Sequence, residues 1–158
     1  MLKFVMQTQE QQQWCWAAVA VSIGNFYGGH QWNQCSLVNS VLGCNNCCTD
    51  PCPGCCNIPW RLERALITVG HLSAVESGAK SYLITRAEID SERPLCARIG
   101  WDGGGGHFVI IMGYLEGNDG DEFLHIWDPK SGKSIVTMDE FTRRYKGTGS
   151  WTHSYFTS

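Results

Sequence analysis

The pattern of side chains in this 158-residue chain changes at Pro94, and that change constrains the fold more than any other feature. Before it, the segment from Cys15 to about Tyr27 is almost entirely apolar, which predicts a buried helix that ends at Gly28. After it, five segments rich in apolar residues alternate with Gly, Asn and Asp turns, as strands do. These segments are Leu95–Trp101, His107–Leu115, Glu122–Trp127, Ser134–Thr137 and Trp151–Thr157. Helices followed by strands predict an α+β fold, with a helical N-terminal part and a C-terminal antiparallel sheet.

Shorter signals predict the remaining helices. Pro59 suits the first turn of a helix and Gly70 suits its end, while Thr85-x-x-Glu88 is a capping-box pattern. The segments predicted to be helical are Ser36–Leu42, Pro59–Val69, a stretch from Thr85 that ends before Pro94, and a turn over Asp139–Tyr145.

Size and composition exclude several classes of protein. Residues 1–158 are predicted to form one domain, since 43% of them are hydrophobic and 17% charged. A net charge of -3 gives no sign of nucleic-acid binding. No apolar run approaches the roughly 20 residues of a membrane helix, so no membrane partner is expected. The start, Met1 to Met6, is too short for a signal peptide.

Nine cysteines are many for a chain of this length, and six of them lie in residues 44–56, which we treat as a cysteine-rich insert. Cys44-x-x-Cys47 and Cys52-x-x-Cys55 have the internal spacing of zinc ligands. Only four residues separate the two pairs, however, whereas a zinc ribbon has roughly 15–20, and the insert contains no histidine. Disulfides that staple a turn-rich loop are therefore favoured over zinc, and no metal or cofactor is predicted.

Three short motifs supply the groups that a thiol nucleophile needs. Cys15 lies between two tryptophans at the start of the predicted helix, where the helix dipole stabilises a thiolate. His107 follows four glycines and begins a long apolar strand, so a substrate backbone can approach it closely. Asp128 precedes a proline at the end of the next strand, and a hairpin brings it beside His107. The alternatives without a catalytic role are a buried core cysteine, a structural histidine and an Asp-Pro turn.

Other residues compete for two of these roles. His125 is the strongest rival to His107, because it lies on a strand close to Asp128. Asp102 and Asp121 are rivals to Asp128, but both lie in loops.

These motifs resemble the papain-like cysteine peptidases of bacteria. The second half, from His107 through Ile126-Trp127-Asp128-Pro129 to Phe141, is similar to the peptidase domains that remove double-glycine leaders from bacteriocins. Around the cysteine the chain departs from them: Cys15-Trp16-Ala17-Ala18 is closer to staphopain-like peptidases and to effector peptidases of plant pathogens. The resemblance covers most of the chain apart from residues 44–56 and implies a papain-like fold.

The resemblance also implies an oxyanion hole. In papain-like enzymes, one donor is the amide of the nucleophile and another is a glutamine about six residues upstream. That spacing selects Gln9 from a run of five glutamines, for which a polar surface segment is the competing interpretation.

We therefore predict a papain-like cysteine endopeptidase that acts on protein or peptide substrates. Cys15 is the nucleophile, His107 the base and then the acid, Asp128 the residue that orients the imidazole, and Gln9 the oxyanion donor. Two alternatives remain open. The same triad serves other acyl transfers, as in a transglutaminase, deamidase or acyltransferase, because a triad does not reveal the acyl acceptor. The second is a catalytically inert cysteine-rich interaction module.

Papain-like peptidases are usually restrained by a pro-region, and only 14 residues precede Cys15. We therefore expect either a missing pro-region or a separate inhibitor or immunity protein that covers the cleft. With the resemblance to effector peptidases, this suggests a toxin or effector domain that is secreted or delivered into a target cell.

Overall fold

The computed structural model of the chain describes residues 1–49 and 54–158. Its helices are α1 (Cys15–Tyr27), α2 (Gln34–Leu42), α3 (Leu62–Val69), α4 (Tyr82–Asp90) and α5 (Met138–Arg143). Its strands are β1 (Leu72–Ser77), β2 (Leu95–Trp101), β3 (Gly106–Glu116), β4 (Glu122–Asp128), β5 (Gly132–Thr137) and β6 (Gly149–Thr157). The predicted α+β class is confirmed.

The strands form one antiparallel sheet in the order β1-β6-β2-β3-β4-β5. Strand β3 lies in the middle, between β2 and β4, and most of its length is buried. Because β3 and β4 run in opposite directions, the start of β3 lies beside the end of β4.

Each face of the sheet has its own apolar core. Phe108, Ile110 and Met112 of β3 face the first core, which contains α1 and parts of α2 and α3. Val109 and Ile111 face the other side of the sheet and lie in the second core. This core also contains residues of α4, α5 and the strands around them.

Helix α1 is buried along most of its length, as its unbroken apolar sequence predicts. Residues Trp16–Gly24 are all buried, and α1 contacts α2, α3 and β3. Gly28, with a φ of 85°, follows its last residue. This packing fixes the axis of α1, and therefore the position of its first residue, against the sheet.

The structure differs locally from the prediction. Helix α3 begins at Leu62, so Pro59 lies before the helix rather than in its first turn. Helix α4 begins at Tyr82 rather than at Thr85, because the side chain of Ser81 accepts a hydrogen bond from the backbone N–H of Ile84 and caps the helix. The hydroxyl of Thr85 instead donates to the backbone carbonyl of Ser81. Strand β1 was missed altogether, because it lies at the edge of the sheet and is largely exposed.

The cysteine-rich insert contains disulfides, as predicted. One joins Cys35 to Cys48 and another joins Cys47 to Cys56. Residues 50–53, with Cys52 and the predicted turn, lie outside the described residues. Within residues 1–49 and 54–158, no three His, Cys, Asp or Glu side chains are grouped so that they could hold a metal ion. None of the helices described is long and apolar enough to span a membrane.

Candidate active site

Cys15 is the first residue of α1, and its half-buried side chain lines a cleft of about 630 Å³. The carbonyl of Trp14 accepts a hydrogen bond from the N–H of Ala18, so Trp14 closes the first turn of the helix. The thiol therefore lies at the positive end of the α1 dipole, as the sequence predicted.

His107 lies at the start of β3, behind a loop in which Gly103, Gly104 and Gly105 have φ values of 88°, 113° and 83°. Side chains other than glycine are strained in this left-handed region, so the loop depends on its glycines. The imidazole is 8% exposed, and its Nε2 lies 2.8 Å from Oδ1 of Asp128. The side chain of Cys15 lines the same cleft and contributes to the raised pKa of the ring. Since Nε2 is engaged by Asp128, the nitrogen left for Cys15 is Nδ1.

Burial and hydrogen bonding act on the imidazole in opposite directions. Burial lowers the pKa of His107, but hydrogen bonds and charges of Asp128 and Cys15 outweigh it and raise the pKa to about 9. The imidazolium form therefore persists at neutral pH in this environment, ready to donate a proton.

Asp128, the last residue of β4, is only 3% exposed, yet hydrogen bonds satisfy both of its carboxylate oxygens. Oδ1 accepts from His107 Nε2 and from the backbone N–H groups of Lys130 and Ser131, at 2.8 and 3.2 Å respectively for the two amides. Oδ2 accepts from the hydroxyl of Tyr145 at 3.0 Å. Burial would raise the pKa of this carboxyl, but His107, the Lys130 amide and Tyr145 hold it well below its usual value. Asp128 is therefore a charged, fixed partner for the imidazole.

Two aromatic residues of this site were not foreseen from the sequence. Tyr145 is buried, and its pKa is raised by burial and by the charge of Asp128, so it remains a neutral hydrogen-bond donor. Trp101, at the end of β2, stacks on the ring of His107 with centroids 6.2 Å apart and on that of Tyr145 at 6.4 Å. Trp127, the neighbour of Asp128 in the chain, packs against the first core, on the other face of β4 from Asp128.

The competing histidine and aspartates lie elsewhere. His125 is three residues before Asp128 on β4, so strand alternation places it on the opposite face of the sheet. Burial, together with the charge of the N-terminal amine, lowers the pKa of His125. Asp102 and Asp121 are exposed in turns and do not line the cleft.

Gln9 lines the cleft with Cys15 and His107, but its side chain is engaged locally. Its Nε2 donates to the backbone carbonyls of Gln11 and Gln12, at 3.1 and 2.8 Å, and its buried Oε1 has no hydrogen-bond partner within residues 1–49 and 54–158. For Gln9 to donate to an oxyanion, the amide nitrogen would have to release one of these carbonyls. Its role stays a prediction.

The cleft is polar and basic at its rim. Lys130 and Lys146 line it, whereas Asp128 is its acidic lining residue and is already paired with His107. The side chains of Cys15, Trp101 and His107 also line the cleft, together with Gly106. A cleft of this volume can hold a short extended peptide.

Comparisons with known proteins identify the family and the fold. A family model described as papain-like cysteine protease AvrRpt2 matches residues 2–146. Among solved structures, the chain is similar to a double glycine motif protease from an AMS/PCAT transporter in complex with the leader peptide. The TM-score is 0.56 and the identity 18%, over 98% of this chain and 91% of that chain. No curated protein matches the chain in sequence. The papain-like fold implied by the resemblance is confirmed.

Proposed function

Because the chain belongs to the family of the papain-like cysteine protease AvrRpt2 and is a cysteine peptidase, we propose that it is an endopeptidase with Cys15, His107 and Asp128 as its catalytic triad. The observation that carries this proposal is the 2.8 Å hydrogen bond between His107 Nε2 and Asp128 Oδ1 in a cleft that Cys15 also lines. A nucleophile, a base and a group that orients the base are the parts that thiol catalysis requires.

In the proposed mechanism, the proton of the Cys15 thiol resides on His107, and the thiolate attacks the carbonyl carbon of the scissile peptide bond. The C–N bond then breaks as His107 donates its proton to the departing amine, which leaves a thioester on Cys15. A water molecule gives a proton to His107 and attacks the thioester, and the carboxylic acid product departs as the thiolate is restored. Asp128 stays ionised throughout and stabilises the imidazolium.

We propose that the oxyanion of the tetrahedral intermediate is bound by the backbone N–H of Cys15, with the Gln9 side chain as the second donor. The position of Gln9 on the cleft, six residues before Cys15, supports this role. The bonds from its Nε2 to Gln11 and Gln12 oppose it in the unliganded state, so the amide must turn when substrate binds.

Protein or peptide chains are the proposed substrates. The similar double glycine motif protease is described in complex with a leader peptide, which supports a peptide ligand in the corresponding cleft. The glycine loop before His107 favours an extended backbone, because it has no side chains that would prevent close approach.

We further propose that the peptidase is an effector or toxin domain that is secreted or delivered into a target cell. The two disulfides support an oxidising compartment at some stage of its life. We expect a pro-region or a separate inhibitor to cover the Gly103–Gly106 loop, since a substrate backbone would lie there. Expression of the domain alone in a producing bacterium tests this: toxicity relieved by Cys15→Ala supports it, and harmless expression of active enzyme contradicts it.

Digestion of a proteome-derived peptide library tests the proposed activity. The parent should cleave it, the Cys15→Ala variant should not, and Cys44→Ala should be as active as the parent. Cys44 is a suitable control because it is a half-buried free thiol that does not line the cleft. A primary amine added as competitor distinguishes hydrolysis from acyl transfer. Full activity of Cys15→Ala, or amide products without hydrolysis, would contradict the proposal.

A further inference from the structure

The end of the cysteine-rich insert and the two residues after it contact the chain on both sides of Cys15. Trp14 donates its indole N–H to the backbone carbonyl of Cys56 at 2.7 Å. Trp16 donates its indole N–H to the backbone carbonyl of Ile58 at 2.9 Å. Both indoles are buried, at 1% and 0% exposure, so these bonds form where water does not compete for the carbonyls.

A third hydrogen bond is accepted by Asn57, which lies between Cys56 and Ile58. The backbone N–H of Gln13 donates to Oδ1 of Asn57 at 2.9 Å. Residues 56–58, which we name the bracing segment, therefore each accept one hydrogen bond from residues 13, 14 and 16.

A buried disulfide anchors the bracing segment. Cys56 and Cys47 are 0% and 1% exposed, and their bond ties the segment to the loop that follows α2. The backbone N–H of Cys47 is held in turn by Oδ1 of Asn39 on α2, at 2.9 Å. The other disulfide, Cys35–Cys48, lies closer to the surface, and neither of its residues hydrogen-bonds to residues 13–16 in the described part of the chain.

We propose that the bracing segment is a positioning element of the peptidase site, and that the Cys47–Cys56 disulfide keeps it in place. The first turn of a helix frays readily unless groups outside the helix satisfy and restrain it. Here the two indoles that flank Cys15 are fixed by carbonyls of the bracing segment. Cys15 is thereby held on the cleft that His107 also lines. The cysteine-rich insert thus supports catalysis as well as stapling a loop.

This inference rests on the proposed role of Cys15 as nucleophile, so the test measures the thiol itself. The probe is iodoacetamide, and the rate of alkylation of Cys15 is followed by mass spectrometry of its peptide at pH 6 and pH 9. N-acetylcysteine provides the rates of an ordinary thiol. In the parent, pairing with His107 should keep the rate at pH 6 far above that of N-acetylcysteine.

The mild perturbation of the bracing segment is Asn57→Ala. Its control is Asn45→Ala, since Asn45 is an exposed asparagine of the cysteine-rich insert. A displacement of about 1 Å can cost about 100-fold in rate, so Asn57→Ala should slow alkylation at pH 6 by about 10-fold or more. Asn57→Asp keeps the acceptor oxygen and should recover most of the rate. Asn45→Ala should match the parent.

The stronger perturbation is the double variant Cys47→Ala/Cys56→Ala, compared with Cys35→Ala/Cys48→Ala. In Cys47→Ala/Cys56→Ala, the alkylation of Cys15 at pH 6 should slow at least as much as in Asn57→Ala. In Cys35→Ala/Cys48→Ala, it should keep the parent's rate. Near-ultraviolet circular dichroism identifies a variant that does not fold. If a disulfide variant does not fold, the Asn57 variants decide whether the bracing segment positions Cys15.

The outcomes separate the two proposals. If Cys15 of the parent is no more reactive at pH 6 than N-acetylcysteine, the proposed nucleophile is wrong. If the parent is reactive and folded Asn57→Ala alkylates at the parent's rate, the positioning role is wrong. Equal losses in both disulfide variants would also overturn it, because the effect would then not be specific to the bracing segment.

Discussion

Replacing Asp128 by Asn tests the electrostatics of the site, because it removes one charge with almost no change in shape. In the parent, burial opposes the imidazolium, while Asp128 and Cys15 together raise the pKa of His107 from 6.5 to about 9. That difference corresponds to about 3 kcal/mol in favour of the charged ring. In the variant, the burial of His107 persists and Cys15 is the main remaining group that raises the pKa. We therefore expect the pKa of His107 to fall by at least about one pH unit, or about 1.4 kcal/mol.

The raised pKa of His107 also makes the free energy of unfolding depend on pH. The pKa of His107 is higher in the folded state than its ordinary value, so its contribution is fully present below about pH 6.5 and is lost as pH rises towards 9. The free energy of unfolding of the parent should fall by about 3 kcal/mol across this window, and that of Asp128→Asn by clearly less. Asp128 contributes in the opposite direction: its stabilisation is present above about pH 3.8 and is lost as pH falls further.

Two measurements check this. NMR titration of the histidine ring C–H signals, assigned with a His107→Ala sample, gives the pKa in the parent and in Asp128→Asn. Urea unfolding between pH 5.5 and pH 9.5 gives the stability. Asp121→Asn, which changes an exposed aspartate outside the cleft, is the matched control and should behave as the parent. A pKa of His107 that stays within a few tenths of the parent's value in Asp128→Asn would refute the reasoning.

Three further changes test separate parts of the site. His107→Ala should abolish peptide cleavage while His125→Ala leaves it near the parent's rate, because only His107 lines the cleft; the reverse pattern would show that the wrong histidine was chosen. Tyr145→Phe removes a hydrogen bond to a buried carboxylate, worth about 1.5–3 kcal/mol, and scanning calorimetry should show a Tm lower by roughly 2–4 °C for each kcal/mol; an unchanged Tm would mean that the bond contributes nothing. Gly149→Ala would place a Cβ 2.8 Å from the ring of Trp101 and 2.9 Å from a backbone oxygen, so denaturant unfolding should show a loss of about 1–3 kcal/mol, and neutral behaviour would indicate that the backbone yields.

The strongly patterned elements could be read from the sequence. Strand β2 was predicted with its observed bounds, Leu95–Trp101, and α1 with its start at Cys15, because extensive burial leaves segments that are mostly apolar. Strand β1 could not be read in this way, since an edge strand with one exposed face carries little apolar signal. The start of α4 was misplaced because two hydroxyl residues four positions apart both suit a cap, and local geometry chose Ser81.

The site shows a similar division. Motifs of adjacent residues predicted that Cys15, His107 and Asp128 meet, and they do; that they are the catalytic groups stays a prediction. Tyr145 and Trp101 carried no such signal. Tyr145 lies just before β6 and forms a β-bridge with Gly149, the first residue of that strand, and this places its hydroxyl near Asp128. Trp101 reaches His107 because β2 ends beside the start of β3. Contacts of this kind depend on how the strands are ordered in the sheet, which no local pattern states.

The separation of Cys15 from its partners along the chain also matters during translation. Ribosomes add about 5–20 residues per second, so on the order of 6–20 seconds pass between synthesis of Cys15 and synthesis of Asp128. For most of that time the emerging helical part has the thiol of Cys15 but not the imidazole of His107, because β3 and β4 follow α1, α2 and α3 in the chain. A nascent or truncated chain that ends before β4 therefore has no assembled site. Proteolytic activity arises only after the sheet has been synthesised, and a ribosome that stalls early releases no active peptidase.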